Sequence, residues 1–449
     1  MNYERSYVVK EVKPIVLPTM HYELCIMKSV LCLFVAAVML IACGNPSPGG
    51  QEGDAKRGDT IAMTYAKNIV MVKYDDHTEV TLKDPWHDGK TLHSYILIPT
   101  VPEASHKGGG LEGWGGKKAS PSGGGLEGAL ALPVTRSVVF TAAHCQLLQW
   151  LGAGEAVTGV CDRKYIHPSL LSALRSPSDC GNGMSPDIEK IISLHPQALI
   201  VSPFENSGGY GALEKTDIPI IETAEYMEPT ALGRAEWMKF YGLLYGRERE
   251  ADSLFHVVDS TYHALRVIAQ KTTTRPVILT ERKTGAVWYV PGGRSSIAQI
   301  IADAGGRHPF ADDTHSGSLS LSPEAVLARG DQIDVWAFKG TFHQSPLTTH
   351  HSPQEGWSGK NASPSGGGLE GWGGKKASPS GGGLEGALLA EYHGYKALRA
   401  FQNGNIWQCN TLQQPYFEEV TFRPDLLLRE FIILLHPELH LGKLRYYTK

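Results

Sequence analysis

The sequence predicts an α/β protein built from two β/α regions, and three observations lead there. Strand-like and helix-like runs alternate up to residue 232. A long helical segment then fills 233–270, and the alternation returns and continues to the end of the chain. Strands that alternate with helices build a mostly parallel sheet with helices on both faces. With 449 residues, 42% hydrophobic and 20% charged, the chain has enough material for a core in each of two lobes.

The elements follow in order. Residues 60–100 carry short β-type runs, TIAMTY, IVMVKY, TEVTL and SYILI, with Asp75-Asp76-His77 as a hairpin turn. SVVFTAAH reads as a buried strand entering a loop, CQLLQWLGA as a helix ended by glycine, and AVTGVC as the next strand. SPDIEKIISLHP predicts a helix capped by Ser185 and Pro186, followed by the strands QALIVSP and IPIIETAEY. Between 233 and 270 apolar residues recur at helical spacing, from Trp237, Phe240, Tyr241 and Leu244 to Leu254, Phe255, Val258, Tyr262 and Leu265, with a break expected at Gly246. PVILTER and AVWYVPG read as strands, SSIAQIIADAGG as a helix, and SPEAVLARGDQIDVWAF as helix then strand. A strand ending at NIWQC and a long helix, RPDLLLREFIILLHPEL, close the chain.

Two kinds of segment stand outside this pattern. Met27-Lys28 precedes a short apolar run, SVLCLFVAAVMLIA, that ends at Cys43. The run is short for a bilayer span and ends in small residues, as a cleaved signal does. Leu40-Ile41-Ala42-Cys43 resembles a bacterial lipobox, in which the cysteine becomes the lipid-bearing first mature residue. Residues 1–43 are therefore expected to be a leader, with Met27 as the true start, and 44–58 a flexible Gly/Pro/Ser tether. The second kind is a repeat. GGGLEGWGGKKASPSGGGLEGAL spans Gly108–Leu130 and recurs identically at Gly366–Leu388, with a shorter relative starting at Gly356. Perfect identity in unrelated surroundings points to recent copying, and the scarcity of apolar residues predicts surface inserts, 108–130 and 356–388.

Charge and cysteines narrow the function. A formal net charge of -4 without a basic block sets nucleic acid aside. Cys145, Cys161, Cys180 and Cys409 in the body do not have zinc-site spacing. Cys161 and Cys180 are open to two readings, a disulfide outside the cytoplasm or isolated buried thiols. Nothing matches a Walker A sequence or a GxGxxG loop.

In order along the chain, VVFTAAHCQLLQWLGA, AVTGVCDRKYIHP, PDIEKIISLHPQALIVSPFENSGGYGALEKTDIPIIE, GGRSSIAQIIADAGG, SLSPEAVLARGDQIDVWAF, NGNIWQCN and RPDLLLREFIILLHPEL resemble the substrate-binding lipoproteins of ABC importers for iron-siderophores, haem and cobalamin. The resemblance implies a lobe over 59–232, a rigid connecting helix over 233–272, a second lobe over 273–449 and a ligand cleft between the lobes. It implies an extracytoplasmic protein, held to the membrane through its lipid anchor alone, that passes a metal chelate to an ABC permease dimer with its ATPase. Such a protein is not an enzyme and needs no resident cofactor or metal. An iron chelate is the first expectation for the ligand and cobalamin the second.

Ligands in such folds meet the loops at the carboxyl ends of strands. In the first lobe these loops hold His144, Asp162, Arg163, Tyr165, Phe204, Glu205, Asn206, Tyr210, Glu225 and Tyr226; in the second, Trp288, Arg294, Trp336, Phe338, Phe342 and Trp407. Aromatic walls suit a large, flat or ring-shaped ligand. The resemblance also places a permease-docking acid in each lobe, Glu189 and Glu324, both at helix starts. Two other classes compete. Thr141-Ala142-Ala143-His144-Cys145 matches the histidine motif of trypsin-like serine proteases, with Ser207 as the nucleophile, but those enzymes are paired β-barrels and have aspartate where this chain has Asn206. A surface adhesin or scaffold on the same fold would keep the anchor and bind no solute.

Overall fold

A computed structural model describes residues 58–100, 129–204, 209–340 and 383–449. Cys43, the tether and most of both inserts lie outside the described residues. The first lobe holds two sheets. The first comprises β1 (Asp59–Thr60), β2 (Ile69–Lys73), β3 (Thr78–Lys83), β4 (Thr91–Pro99) and β5 (Ala129–Leu132), side by side in that order. All neighbours are antiparallel except β4 and β5. The turn expected at Asp75-Asp76-His77 joins β2 to β3, with Lys73 opposite Thr78 and the Tyr74 amide donating to the His77 carbonyl at 2.8 Å.

The second sheet contains β6 (Ser137–Val139), β7 (Val157–Val160) and β8 (Ser178–Asp179). A short hairpin of β9 (Gly181–Asn182) and β10 (Ser185–Pro186) follows, and then β11 (Ala198–Val201) and β12 (Ile220–Glu222). The order is β12-β11-β6-β7-β8 and every pairing is parallel. Alternate residues face opposite cores: Val139, Val160 and Ile200 pack into the large core, while Val138, Leu199 and Val201 pack into a smaller one. Burial of both faces is why these strands read as continuous apolar runs. Between the strands lie α1 (Ala142–Trp150), α2 (Pro168–Ala173) and α3 (Ile188–Ser193). The cap of α3 differs from expectation: the Asp187 carboxylate accepts the Lys190 amide at 2.9 Å, whereas Ser185 and Pro186 form β10. Asp187 sits three residues before that amide, the spacing an N-cap needs; Ser185 is too early.

The connector is three helices, not one: α4 (Ala231–Glu236), α5 (Met238–Tyr245) and α6 (Glu248–Gln270). Gly246 adopts φ 62° and ends α5, as its position in the sequence predicts. The longest element is the 23-residue α6, about 34 Å long at 1.5 Å per residue. It buries Ala251, Phe255, Val258, Tyr262, Leu265 and Ala269, one stripe at helical spacing. Two buried carboxylates tie the first sheet to this connector. Glu236 accepts the amides of Thr64, Tyr65 and Ala66 at 2.9, 2.7 and 3.0 Å. Glu228 accepts those of Lys67 and Asn68, both at 2.8 Å, and the Trp237 indole at 2.9 Å. Burial drives the Glu236 carboxyl upward, but the three amides outweigh it and hold it below the ordinary range.

The second lobe carries β13 (Ile278–Leu279), β14 (Lys283–Thr284), β15 (Val287–Pro291), β16 (Ser318–Leu321), β17 (Val335–Lys339) and β18 (Ile406–Cys409). The parallel sheet β13-β17-β18 is accompanied by the antiparallel β14-β15-β16. Its helices are α7 (Ser296–Asp303), α8 (Pro323–Leu327), α9 (Leu384–Glu391), α10 (Arg399–Gln402), α11 (Tyr416–Glu419) and α12 (Pro424–Leu435). Ser295 and Ser322 cap α7 and α8 through their hydroxyls. The repeat copies end inside the fold rather than before it. Ala129-Leu130 opens β5, and Ala387-Leu388 lies in α9, with Leu130 and Leu388 both in the core. Residues 129–130 and 384–388, expected as insert, therefore belong to the folded elements.

Candidate functional site

The parallel strands of the first lobe end at Val139, Val160, Val201 and Glu222, so the loops after them form one rim. At Asp162 the chain turns through φ 50°, and the Asp162 carboxylate accepts the Gly183 amide at 3.0 Å and the Asn182 side-chain amide at 3.3 Å. Tyr165 and Phe204 are exposed on this rim. The Tyr226 hydroxyl donates to the Pro203 carbonyl at 2.6 Å and so holds the loop after β11 against the loop after β12. Tyr210 donates to Glu222 at 2.6 Å, and His93 of β4 lies 2.5 Å from the other oxygen of the same carboxylate. Burial and the adjacent Glu222 charge push the Tyr210 hydroxyl far above its ordinary value, so it stays a donor. His93 was not foreseen. It lies in a strand from a different sheet, and only the docking of the two sheets brings it to Glu222. Arg163 turns away from the rim, its guanidinium donating to the Pro177 carbonyl.

His144 is a correction. It is fully buried in the first turn of α1, with Nε2 2.8 Å from Glu225 and its ring 5.2 Å from Tyr241 and 6.1 Å from Phe422. The buried Glu225 partners it, so the two form an internal pair beneath the rim. The protease-like motif thus has a structural cause: Thr141 is the N-cap of α1, its hydroxyl accepting the His144 amide at 3.4 Å. Ser207, Asn206 and Glu205 lie outside the described residues.

Trp288, Trp336 and Phe338 are corrected too. All three are fully buried in the core of the second lobe. Both indoles donate to the Glu281 carbonyl, at 3.0 and 2.9 Å, and the Tyr395 ring lies 4.7 Å from Trp336. Large aromatics are strand formers, and nothing in their spacing separates a core face from a cleft face. Trp407 is half-buried, donates to Asn405 at 2.8 Å and lies under the Lys449 ammonium. Arg294 is exposed just before α7. Phe342 lies outside the described residues.

The second-lobe groups at strand ends are ones the sequence reading passed over. Glu281 and Arg282 follow β13, and Lys339 ends β17. Lys339 pairs with Glu281 at 2.5 Å and lies 5.4 Å from the Tyr416 ring centre and 5.9 Å from that of Phe417; Arg282 pairs with Glu391. A charge directly after an apolar strand was the available signal, in VILTER and VWAFK. The segment after β18 bridges the lobes. Helix α11 packs on α1, Glu418 accepts the His167 amide at 3.0 Å, and Phe422 touches His144 and Tyr241. Helix α11 therefore lies against α1 and the His167 loop of the first lobe and against Lys339 at the end of β17 in the second. Aromatic surface with a few fixed charges can hold a bulky solute. Among the described residues no group of three His, Cys, Asp or Glu could hold a metal ion, and no helix is long and apolar enough to cross a membrane. Glu189 and Glu324 are both exposed in the first turn of their helices.

Residues 138–355 match the family model described as periplasmic binding protein. Over 437 residues the chain is 21% identical to an uncharacterised lipoprotein of Methanocaldococcus jannaschii, covering 92% of this chain and 93% of that protein. A second uncharacterised lipoprotein of that organism is 26% identical over 152 residues, 33% of this chain and 39% of the other. Among solved structures, the periplasmic haem-binding protein RhuT of Roseiflexus sp. RS-1 is 19% identical, with 68% of this chain and 99% of that one covered and a TM-score of 0.48. The periplasmic haem-binding protein HutB of Vibrio cholerae is 17% identical, with 68% and 100% covered and a TM-score of 0.48.

Proposed function

We propose that the chain, whose residues 138–355 match the periplasmic binding protein family, captures an iron chelate outside the cytoplasm and delivers it to an ABC importer. The observation that carries this reading is one bridging segment, Tyr416–Glu419, packed on α1 and the His167 loop of the first lobe and on Lys339 at the end of β17 of the second, within a chain that shares this family match. The ligand contacts would come from Tyr165, Phe204, Tyr210, Tyr226 and, outside the described residues, Asn206. From the second lobe they would come from Arg294, Trp407, Arg282 and Lys339. His144, Trp288, Trp336 and Phe338 support these groups from the core. Exposed aromatics give contact area and the cations orient anionic groups of the chelate. Cobalamin is the second ligand class, because the same rim suits any large ring-shaped molecule.

Delivery needs docking and an anchor. Glu189 and Glu324 stand at equivalent helix starts in the two lobes and would pair with cations on the two permease subunits. Cys43 would carry the lipid. The reading is tested by the absorbance spectrum and intact mass of whatever copurifies with the chain from cells grown with iron. A haem Soret band or a ferric charge-transfer band with a matching chelate mass supports it, and a cobalamin spectrum selects the second class. A chain that stays ligand-free and binds neither class when each is supplied would favour a surface scaffold.

A further inference from the structure

We propose that Cys161 and Cys180 form a disulfide when the chain folds in an oxidising compartment, and that this bond pins the Asp162 loop to the edge of the second sheet. Strands β7 and β8 are parallel and their last pair is Val160 opposite Asp179, so Cys161 and Cys180 are the residues that directly follow it on the two adjacent chains. The Cys180 amide donates to the Val160 carbonyl at 2.8 Å, and the Asp162 amide then donates at 2.7 Å to the Gly181 carbonyl, one residue beyond the one a regular ladder would use, so the two chains stay side by side past the cysteines with the register slipped by one. Adjacent strands run about 5 Å apart, so residues directly after their last pair start near the Cα separation a disulfide requires.

The side chains share a face. The Cys180 sulfur sits over Gly159, only 2.7 Å from where a β-carbon on that residue would be. Residues 159 and 161 of one strand point to the same side, so the Cys161 thiol emerges beside the Cys180 sulfur. Both thiols are buried in the same small core, and Cys161 lies 3.8 Å from the Cys180 carbonyl oxygen. A side chain at 159 would occupy the space of the Cys180 sulfur, so glycine there leaves room for it. Both cysteines are thiols in this structure. Just beyond each, the chain leaves the ladder through a positive φ, 50° at Asp162 and 83° at Gly181, which gives the ends freedom to settle to bonding geometry. Cys145 and Cys409 differ: both lie in the large core, Cys145 in helix α1 and Cys409 in β18 opposite Lys339.

In the step itself two S–H bonds break and one S–S bond forms. The two protons and two electrons pass to the disulfide of an oxidant such as oxidised glutathione, whose S–S bond breaks to give two thiols. Burial pushes the Cys161 and Cys180 thiols up, the latter to about 11, so pairing belongs to folding, before the core closes. The pairing is independent of the ligand; only its occurrence in the cell depends on the extracytoplasmic location proposed above.

The test uses the full chain in two samples. One is unfolded under reducing conditions and refolded into a glutathione redox buffer, and the other is isolated from the envelope of producing cells. Both are blocked with N-ethylmaleimide in denaturant and mapped by mass spectrometry. The refolded chain should yield a peptide pair joined through Cys161 and Cys180, two hydrogens lighter than the separate peptides, with Cys145 and Cys409 blocked. Dithiothreitol should then lower the melting temperature of the wild type but leave that of C161S/C180S unchanged. Blocked Cys161 and Cys180 in both samples would overturn the proposal. A joined pair in the refolded sample alone would support the pairing and count against the location.

Discussion

His308 gives the sharpest test of the packing in the second lobe. It is only 4% exposed, its Nδ1 accepts the Phe310 amide at 3.2 Å, and the Arg329 guanidinium lies 4.3 Å from the adjacent Phe310 ring centre. Burial, with the nearby Arg329 charge, pulls the imidazole from 6.5 down to about 4. The folded state therefore holds the ring neutral, while the unfolded chain takes up a proton at ordinary pH values. Between those two pH values the unfolded state binds more protons, so stability is full above pH 6.5 and is lost as pH falls toward 4. At 1.36 kcal/mol per pH unit the whole loss is about 3 kcal/mol, of which about 2 kcal/mol is gone at pH 5. Other groups titrate over the same range, so the readout is a difference. Urea melts of wild type and His308→Leu at pH 7.5 and pH 5 isolate it. The variant loses the Phe310 hydrogen bond at both pH values, but its pH dependence should be shallower than wild type by about 2 kcal/mol. Equal pH dependence in the two proteins would mean that His308 titrates freely and that its burial is not as described.

The clamp between the first sheet and the connector predicts that Glu236→Ala leaves three amides without a buried acceptor and lowers unfolding free energy by about 3 kcal/mol or more, measured in urea. Deleting Gly108–Gly128, and sparing Ala129-Leu130 in β5, should move the melting temperature by less than roughly 5 °C; a larger drop would show that the insert packs against the core. Glu189→Ala with Glu324→Ala should abolish ligand-stimulated transport and leave ligand affinity unchanged; normal transport would reduce both acids to helix-dipole partners worth about 0.3–1 kcal/mol. A fatty-acid analogue should label wild type and not Cys43→Ala; equal labelling would remove the anchor assignment.

The elements with a strong local pattern were legible in the sequence. The apolar spacing in α6, the break at Gly246, the hairpin at Asp75-Asp76-His77 and the doubly buried runs of β6, β7 and β11 all follow from periodicity and turn chemistry. The repeat shows where local sequence stops deciding. Leu126–Leu130 and Leu384–Leu388 are the same five residues, yet the first ends in a strand and the second in a helix. Pro133 lies shortly after the first copy and cannot continue a helix, whereas LAE extends the second with good helix formers. For Leu130 a further factor is β4, whose Leu97 pairs with it across 33 positions. The site was less legible for a related reason. Spacing marks a strand aromatic as inward or outward but does not say what covers it, so Trp288, Trp336 and Phe338 read like a cleft wall and are core. Glu281 and Lys339 stand at the ends of their own strands, but that they pair with each other, and that His93 meets Glu222, comes from contacts distant in sequence, which no local pattern encodes.

The most direct measurement is an equilibrium titration of the full, ligand-stripped chain with haemin, a ferric siderophore and cyanocobalamin, followed by intrinsic fluorescence. Saturable one-to-one binding of an iron chelate is the predicted result. Phe204→Ala should weaken it roughly tenfold, about 1.4 kcal/mol of lost aromatic contact. Saturation by none of the three, with the chain folded by its melting transition, would contradict a solute-carrying role.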